Sequence, residues 1–327
     1  MKATDSLEKI LQSLIGWAAR PAQQRQEDLR KKILRWVWVG LSGLVFVFMA
    51  FVVWRSRETL VETLRTARYG YFFWTFIAYA FSIGAVALGW HLVMHNLGQQ
   101  SDLLVNIKIY VYTLAARRVP GTLWYIAGRA VLYKRLGISR RFSALASAIE
   151  VVLSIVSGLM VGAPALFLQM GTSAVNIIIF LLVELVGLCL LHPKVLCWLL
   201  ARFGHQVEPG RLTILQVLSW LGAYAAMWVG GGLMTCTVVL ALYPLELSQF
   251  PWTISLWALT GAISFVAFLM PNNLGLSEIT LSFLLGRIIP LPIAIATAIL
   301  LRVLTTLFDI MWSSLYLLEK GEALSAR

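Results

Sequence analysis

Four ionisable residues lie inside long apolar stretches of the sequence, where a charge must be compensated. They are Glu150, Glu184, Arg302 and Asp309. A charge at the centre of a membrane helix costs about 2.5–3.5 kcal/mol on insertion scales, so such groups face the protein interior and pair. We expect an intramembrane ion pair between Glu150 and Arg302, either as a static packing contact or as a pair that rearranges during function. Glu184 has no obvious partner, which favours its protonated form.

Two consecutive arginines, Arg117 and Arg118, precede a Pro-Gly break. If a short helix starts near Gly121, its free N–H groups and its dipole would join the guanidinium groups in an anion site. A lipid phosphate is the obvious anion at membrane depth. The alternative is that both arginines extend to the cytoplasmic surface. A later polar segment would face them, and the predicted substrate-binding residues are Arg117, Arg118, Gly121, Trp124, Asn272, Asn273, Ser277 and Glu278.

Motifs for catalysis and for metal or nucleotide binding are absent from the sequence. It contains no HExxH, P-loop or GxSxG motif and no plausibly spaced Ser/His/Asp set. His91 and His95 are spaced i, i+4, as zinc ligands can be, but no third ligand accompanies them nearby. We therefore expect no catalytic residue, no metal and no cofactor, and a protein that is not an enzyme.

The composition places these residues in a membrane protein. Of 327 residues, 59% are hydrophobic and only 13% are charged, whereas a soluble domain carries about 25% charged residues. The net charge of +12 would favour nucleic-acid binding in a soluble protein. Here the Lys and Arg residues cluster in short loops, as the positive-inside rule requires. We expect membrane lipids as partners and no nucleic acid.

Apolar stretches long enough to cross a bilayer occur six times, since a span needs about 20 apolar residues. The predicted spans are Trp36–Trp54, Tyr71–Met94, Phe142–Met170, Ala174–His192, Leu212–Tyr243 and Leu291–Leu318. They form a single predicted transmembrane domain, residues 33–319. Residues 1–32 carry apolar residues at helical spacing and form either a cytoplasmic interfacial helix or a solvated tail. Residues 320–327 form a predicted cytoplasmic tail.

Two segments are broken by Pro and Gly, namely Leu104–Leu136 and Trp252–Ile289. The first apolar run of the earlier segment, Leu104–Ala116, would reach only about 20 Å as a helix, too little to cross. Pro and Gly midway interrupt the helix in each case. We predict two re-entrant helical hairpins, with ordinary short spans joined by Pro turns as the alternative.

The sequence contains an internal similarity with an offset of about 150 residues. Pro120-Gly121 and Leu136-Gly137 correspond to Pro271–Gly275 and Leu285-Gly286. The repeats cover about residues 33–170 and 174–319. Each holds three spans and one hairpin, and because three is odd, the repeats have opposite orientations. Such an inverted repeat is typical of secondary transporters.

The distribution of basic residues orients the chain. Residues 117–141 hold seven Lys and Arg residues and no acid, whereas the turns 171–173 and 244–251 hold no Lys or Arg. These segments agree if both termini are cytoplasmic, although residues 55–70, with four Arg and two Glu, do not fit. We expect a multi-pass protein of the cell inner (plasma) membrane.

The segment from Arg118 to Trp124, the stretch Pro271–Glu278 and the run Pro290–Arg302 resemble the lysylphosphatidylglycerol synthase transmembrane region, also called the flippase-like family. This family includes the membrane half of the multiple peptide resistance factor and hopanoid-biosynthesis-associated membrane proteins. The resemblance covers about residues 33–318. The soluble domain that transfers lysine is absent from this chain, so we do not expect a synthase. In the family the hairpin often carries an acid that is followed by a base on the next helix, whereas in this chain Glu150 is followed by Val151.

The resemblance implies movement of an anionic or phosphate-bearing lipid between leaflets. The lipid partner would be anionic or of the polyprenyl or hopanoid type, and a lipid-synthesis enzyme would be a possible partner. The alternative functions are an integral membrane enzyme, for which the His91/His95 pair is the only hint, and an accessory subunit of lipid or glycan assembly.

Overall fold

A computed structural model describes residues 57–99, 102–118, 124–170, 173–205, 212–267 and 275–325, together with Phe51 and Trp54. Residues 1–50 lie outside the described residues. The predicted N-terminal segment and nearly all of the predicted first span fall there.

The described residues form eleven α-helices and two short 3₁₀-helices, and they contain no strand. The α-helices are α1 (Arg57–Arg65), α2 (Tyr71–Asn96), α3 (Leu103–Tyr112), α4 (Trp124–Arg135), α5 (Arg140–Met170), α6 (Ala174–Leu190), α7 (Pro193–Arg202), α8 (Ile214–Leu242), α9 (Phe250–Ala267), α10 (Leu276–Leu285) and α11 (Leu291–Ser325). The 3₁₀-helices span Ala115–Arg118 and Leu247–Gln249.

Four of these helices are long and apolar enough to cross a membrane: α2, α5, α8 and α11. A fifth span is obtained if α6 and α7, which are bent by 56° relative to each other, are taken together. Pro193 opens α7, and His192 caps it by accepting from the N–H of Lys194. The prediction of an all-α membrane protein is confirmed for the part of the chain that the structure describes.

Helix α8 is central, because α2, α5, α9 and α11 all pack against it. Three consecutive glycines allow two of these helices to come close. A Cβ on Gly230 would lie 3.0 Å from the Cα of Ser82 in α2, and a Cβ on Gly232 would lie 2.5 Å from the Cα of Ile254 in α9. Small residues are the usual means of close helix packing in membranes. The Gly-Gly-Gly sequence therefore allows both α2 and α9 to approach α8 closely without interrupting that helix.

Helix α5 contains Pro164, which has no N–H for the helical hydrogen-bond ladder. At this turn Ser255 of α9 inserts its hydroxyl group. The N–H of Ala165 donates to Ser255 Oγ at 3.0 Å, and Ser255 Oγ donates to the carbonyl of Val161 at 2.9 Å. The neighbouring helix thus supplies hydrogen bonds at the point where proline disturbs the backbone.

The two segments predicted as hairpins are broken in the structure as well. The earlier one consists of α3, a 3₁₀-helix and α4, and the later one of α9 and α10. Helix α4 packs on α5, and α10 packs on α11. Helix α3 contacts both α2 and α11. The broken segments therefore lie against long helices within the bundle.

Candidate functional site

Arg129 of α4 and Glu150 of α5 form a buried ion pair. The Arg129 side chain is 0% exposed and that of Glu150 is 2% exposed. Arg129 Nη1 donates to Glu150 Oε2, and the hydroxyl of Tyr110 donates to Oε1 at 2.8 Å. Arg129 Nε donates to Thr113 Oγ1 at 3.2 Å. A buried charge needs a partner and further hydrogen bonds, and both are present here.

Aromatic rings enclose the guanidinium group of Arg129. Its Cζ lies 4.1 Å from the ring centre of Tyr110, 4.4 Å from that of Trp90 and 5.1 Å from that of Tyr125. These distances are within the range of cation–π attraction. The side chains of four helices, α2 to α5, thereby hold this cation in place.

The polar network continues from the aromatic rings towards the end of α2. Trp90 Nε1 donates to the hydroxyl of Tyr133 at 2.7 Å, and this hydroxyl donates to Asn106 Oδ1 at 2.7 Å. Asn106 Nδ2 lies 2.8 Å from His91 Nδ1. The network ties α2, α3 and α4 together around Arg129.

The predicted ion pair between Glu150 and Arg302 is wrong in this structure. Glu150 pairs with Arg129, and Arg302 Nε lies 3.4 Å from Glu278 Oε1. Arg129 is one of the seven basic residues in 117–141 that orient the chain, and no ion pair is predicted for it from the sequence. A sequence signal for its position exists: Tyr125, Arg129 and Tyr133 are spaced i, i+4, i+8 and share the buried face of α4.

The Glu278–Arg302 pair joins the later broken segment to the last long helix. Glu278 lies in the first turn of α10, where Ser277 Oγ donates to its Oε2 at 3.0 Å. The side chain of Glu278 is 11% exposed, but that of Arg302 is 41% exposed. Unlike Arg129, Arg302 forms no side-chain hydrogen bond within the described residues. The two ion pairs therefore differ in accessibility, one sealed and one open.

The structure describes only some of the predicted substrate-binding residues. The sequence neighbours Ser277 and Glu278 are hydrogen-bonded to each other at the start of α10, and Trp124 is exposed at the start of α4. Arg117 and Arg118 end the 3₁₀-helix that precedes α4, and the structure describes their backbone but not their side chains. Gly121, Asn272 and Asn273 lie outside the described residues.

The 3₁₀-helix is attached to α11 by Ser313. The N–H of Ala115 donates to Ser313 Oγ at 3.3 Å, and Ser313 Oγ donates to the carbonyl of Val111 at 3.0 Å. The arrangement is the same as that of Ser255 at Pro164: a serine of one helix bridges backbone groups four residues apart on another. Sequence reasoning missed both serines, because small polar residues in apolar helices are common.

The two remaining intramembrane acids lie in different environments. Asp309 of α11 is buried and accepts from the hydroxyl of Tyr79. Glu184 of α6 is 7% exposed, and neither carboxylate oxygen has a hydrogen-bond partner within the described part of the chain. Gly187, one turn further along α6, lies directly against Val156 of α5. Glu184 therefore shares a face of α6 with a residue that contacts α5.

The rings of His91 and His95 stack, with centres 5.8 Å apart. Among the described residues, no group of three or more His, Cys, Asp or Glu side chains could hold a metal ion.

The chain matches no known family model. No curated protein matches it either.

Proposed function

We propose that this protein moves an anionic or phosphate-bearing lipid between the leaflets of the membrane. The observation that carries the proposal is the Glu278–Arg302 pair, which joins a broken segment to a long apolar helix near its middle and in which the side chain of Arg302 is 41% exposed. Charged groups within the membrane mark substrate and ion pathways by default. A path for a charged head group needs such groups along its course.

The short helices support a re-entrant arrangement of the broken segments. Helices α3 and α10 have ten residues each, about 15 Å at 1.5 Å per residue, against a hydrocarbon thickness of about 30 Å. Broken backbone at membrane depth is tolerated only where protein or a wet cavity supplies hydrogen bonds. Ser313 supplies such bonds for the segment after α3.

A correspondence between the ion pairs supports the inverted repeat. In each repeat a charge on the second helix of the broken segment pairs with a charge on the long helix that follows. In the first repeat the base Arg129 precedes the acid Glu150, and in the second the acid Glu278 precedes the base Arg302. Transporters with inverted repeats bind substrate where their broken helices meet.

In the proposed site Arg117 and Arg118 bind the lipid phosphate, and the N-terminus of the short helix after Gly121 contributes its dipole. Asn272, Asn273, Ser277 and Glu278 supply the polar groups of the opposite segment. We extend the sequence resemblance to a proposal that the chain is a flippase-like protein of the plasma membrane, with both termini cytoplasmic.

The test is lipid movement by the purified protein in liposomes. External dithionite bleaches fluorescent phosphatidylglycerol in the outer leaflet but not in the inner leaflet. The fluorescence that remains therefore measures how much lipid has been transferred. We expect faster transfer than in empty liposomes, and loss of most of this activity in Arg118→Ala. The matched control is Arg202→Ala, because Arg202 is an exposed arginine in the last turn of α7.

Two results would count against the proposal. Transfer no faster than in empty liposomes would reject transport of this lipid. Undiminished transfer by Arg118→Ala would reject the assignment of the head-group site. A metal-dependent chemical turnover would instead favour the alternative of a membrane enzyme.

A further inference from the structure

We infer that Arg302 is an exchangeable head-group site, at which the phosphate of an anionic glycerophospholipid replaces Glu278 as the partner of the guanidinium group. The inference deepens the proposed function, since it names a second point on the lipid path and its chemistry. Lipid binding at this point can nevertheless be measured without any transport.

The position of Arg302 along α11 demands an anionic partner. The apolar part of this helix runs from Leu291 to Ser314. At 1.5 Å per residue, Arg302 lies roughly 16–18 Å from either end. A hydrocarbon core of about 30 Å would thus have Arg302 near its midplane, too deep for the side chain to extend to a surface.

The contact with Glu278 satisfies this demand only in part. The closest approach, from Arg302 Nε to Glu278 Oε1, is 3.4 Å, whereas charge-assisted hydrogen bonds usually measure about 2.7–2.9 Å. A guanidinium group has five N–H donors in a planar fork that matches a phosphate. With 41% of its side chain exposed, Arg302 can present this fork to a second anion.

Glu278 remains stabilised when Arg302 changes partner. Its other oxygen, Oε2, accepts from Ser277 Oγ at 3.0 Å. It also lies in the first turn of α10, where the helix dipole favours a negative charge. Exchange therefore does not leave an isolated carboxylate. Arg129 lacks this option, because it is fully buried between aromatic rings and Glu150.

The surroundings of Arg302 favour a lipid over free phosphate. Ile299 and Val303, which flank it on α11, are 40% and 47% exposed. One turn further along the helix, Leu307 is also exposed. An apolar helix surface beside a cation fits an acyl chain next to a phosphate, whereas inorganic phosphate gains nothing from it.

The experiment measures binding of phosphatidylglycerol to the full chain in detergent by native mass spectrometry, with phosphatidylcholine and inorganic phosphate as comparison probes. We expect Arg302→Gln to weaken phosphatidylglycerol binding about tenfold or more, since charged hydrogen bonds are lost. We expect Glu278→Gln to strengthen binding, because the competing carboxylate is removed. Arg287→Gln is the matched control: Arg287 is an exposed arginine between α10 and α11, stacked on Phe283.

Opposite effects of Arg302→Gln and Glu278→Gln on phosphatidylglycerol binding would identify an exchangeable site. If the pair were only structural, both variants would weaken binding or neither would change it, and the inference would fall. Arg302→Lys, which keeps the charge but loses the fork, should bind with intermediate affinity and provides a second reading if Arg302→Gln does not fold. If inorganic phosphate bound at Arg302 as well as phosphatidylglycerol does, the lipid would be rejected as the occupant of the site.

Failure of this inference and failure of the transport proposal are distinguishable. If phosphatidylglycerol binding depended on Arg302 but no lipid were transferred in liposomes, the binding site would stand and the transport proposal would be rejected. If the native chain transferred lipid but Arg302→Gln and Glu278→Gln bound phosphatidylglycerol as the native chain does, the transport proposal would stand and the Arg302 site would be rejected.

Discussion

Glu150 accepts from Arg129, 21 positions earlier in the chain and on the preceding helix, so that an acid and a base of adjacent helices neutralise each other within the bundle. Arg302, the base that the sequence offered as a partner, contacts Glu278 instead. The first pair is enclosed by aromatic rings and the second is open. The two pairs therefore differ in how accessible their charges are to a ligand.

Glu150→Gln should strongly destabilise the protein, because it leaves the fully buried charge of Arg129 without its counter-charge. Breaking a buried pair typically costs about 3–5 kcal/mol. Glu278→Gln should cost less, because 41% of the Arg302 side chain is exposed and its charge is not enclosed by other side chains. Unfolding in detergent, followed by circular dichroism, measures both variants. Equal losses of stability would contradict the distinction between a sealed and an open pair.

Ser255→Ala should lower stability by about 1–3 kcal/mol, since the N–H of Ala165 loses its acceptor next to Pro164. Ser313→Ala should act similarly at Ala115. The control is Ser314→Ala, because Ser314 is exposed and donates only to the carbonyl of Met311 in its own helix. The same unfolding measurement applies, and a Ser314→Ala effect as large as that of Ser313→Ala would argue against the role of these serines.

Gly232→Ala should destabilise the contact between α8 and α9, because the added Cβ would lie 2.5 Å from the Cα of Ile254. Gly222→Ala in the same helix is the matched control, since its Cβ would meet nothing within 4 Å. Alanine is a better helix former than glycine, so Gly222→Ala should be neutral or stabilising by up to about 1 kcal/mol. Comparable unfolding midpoints for the two variants would contradict the close packing of α8 on α9.

Glu184→Leu should leave the protein as stable as before or make it more stable. A buried carboxyl group without hydrogen-bond partners costs free energy, and leucine of similar size removes that cost. Glu150→Leu, tested in parallel, should be strongly destabilising. A loss of more than about 1 kcal/mol in Glu184→Leu would mean that its carboxyl group makes a stabilising interaction with residues outside the described part of the chain.

The positions of the long helices could be predicted from the sequence. Within the described residues, the stretches Tyr71–Met94 and Leu212–Tyr243 agree with α2 and α8 to within a few residues. The breaks of the two shorter segments were also predicted from Pro and Gly. Both inferences depend on local physics: in lipid a backbone must satisfy its own hydrogen bonds, so that a long apolar stretch forms a helix.

The partners of the charges were decided only by the tertiary structure. Arg129 belongs to a strongly basic stretch that the positive-inside rule assigns to the cytoplasmic side, yet it is the most enclosed cation among the described residues. Helix period alone could place it on one face with Tyr125 and Tyr133, but not against Trp90 and Glu150. The sequence by itself identified Glu150, Glu184, Arg302 and Asp309 as charges that must be compensated, because the cost of a charge depends on its depth in the bilayer, but it did not identify Arg129. Which residue compensates each one depends on which helices lie next to each other, and here α4 lies against α5 and α10 against α11.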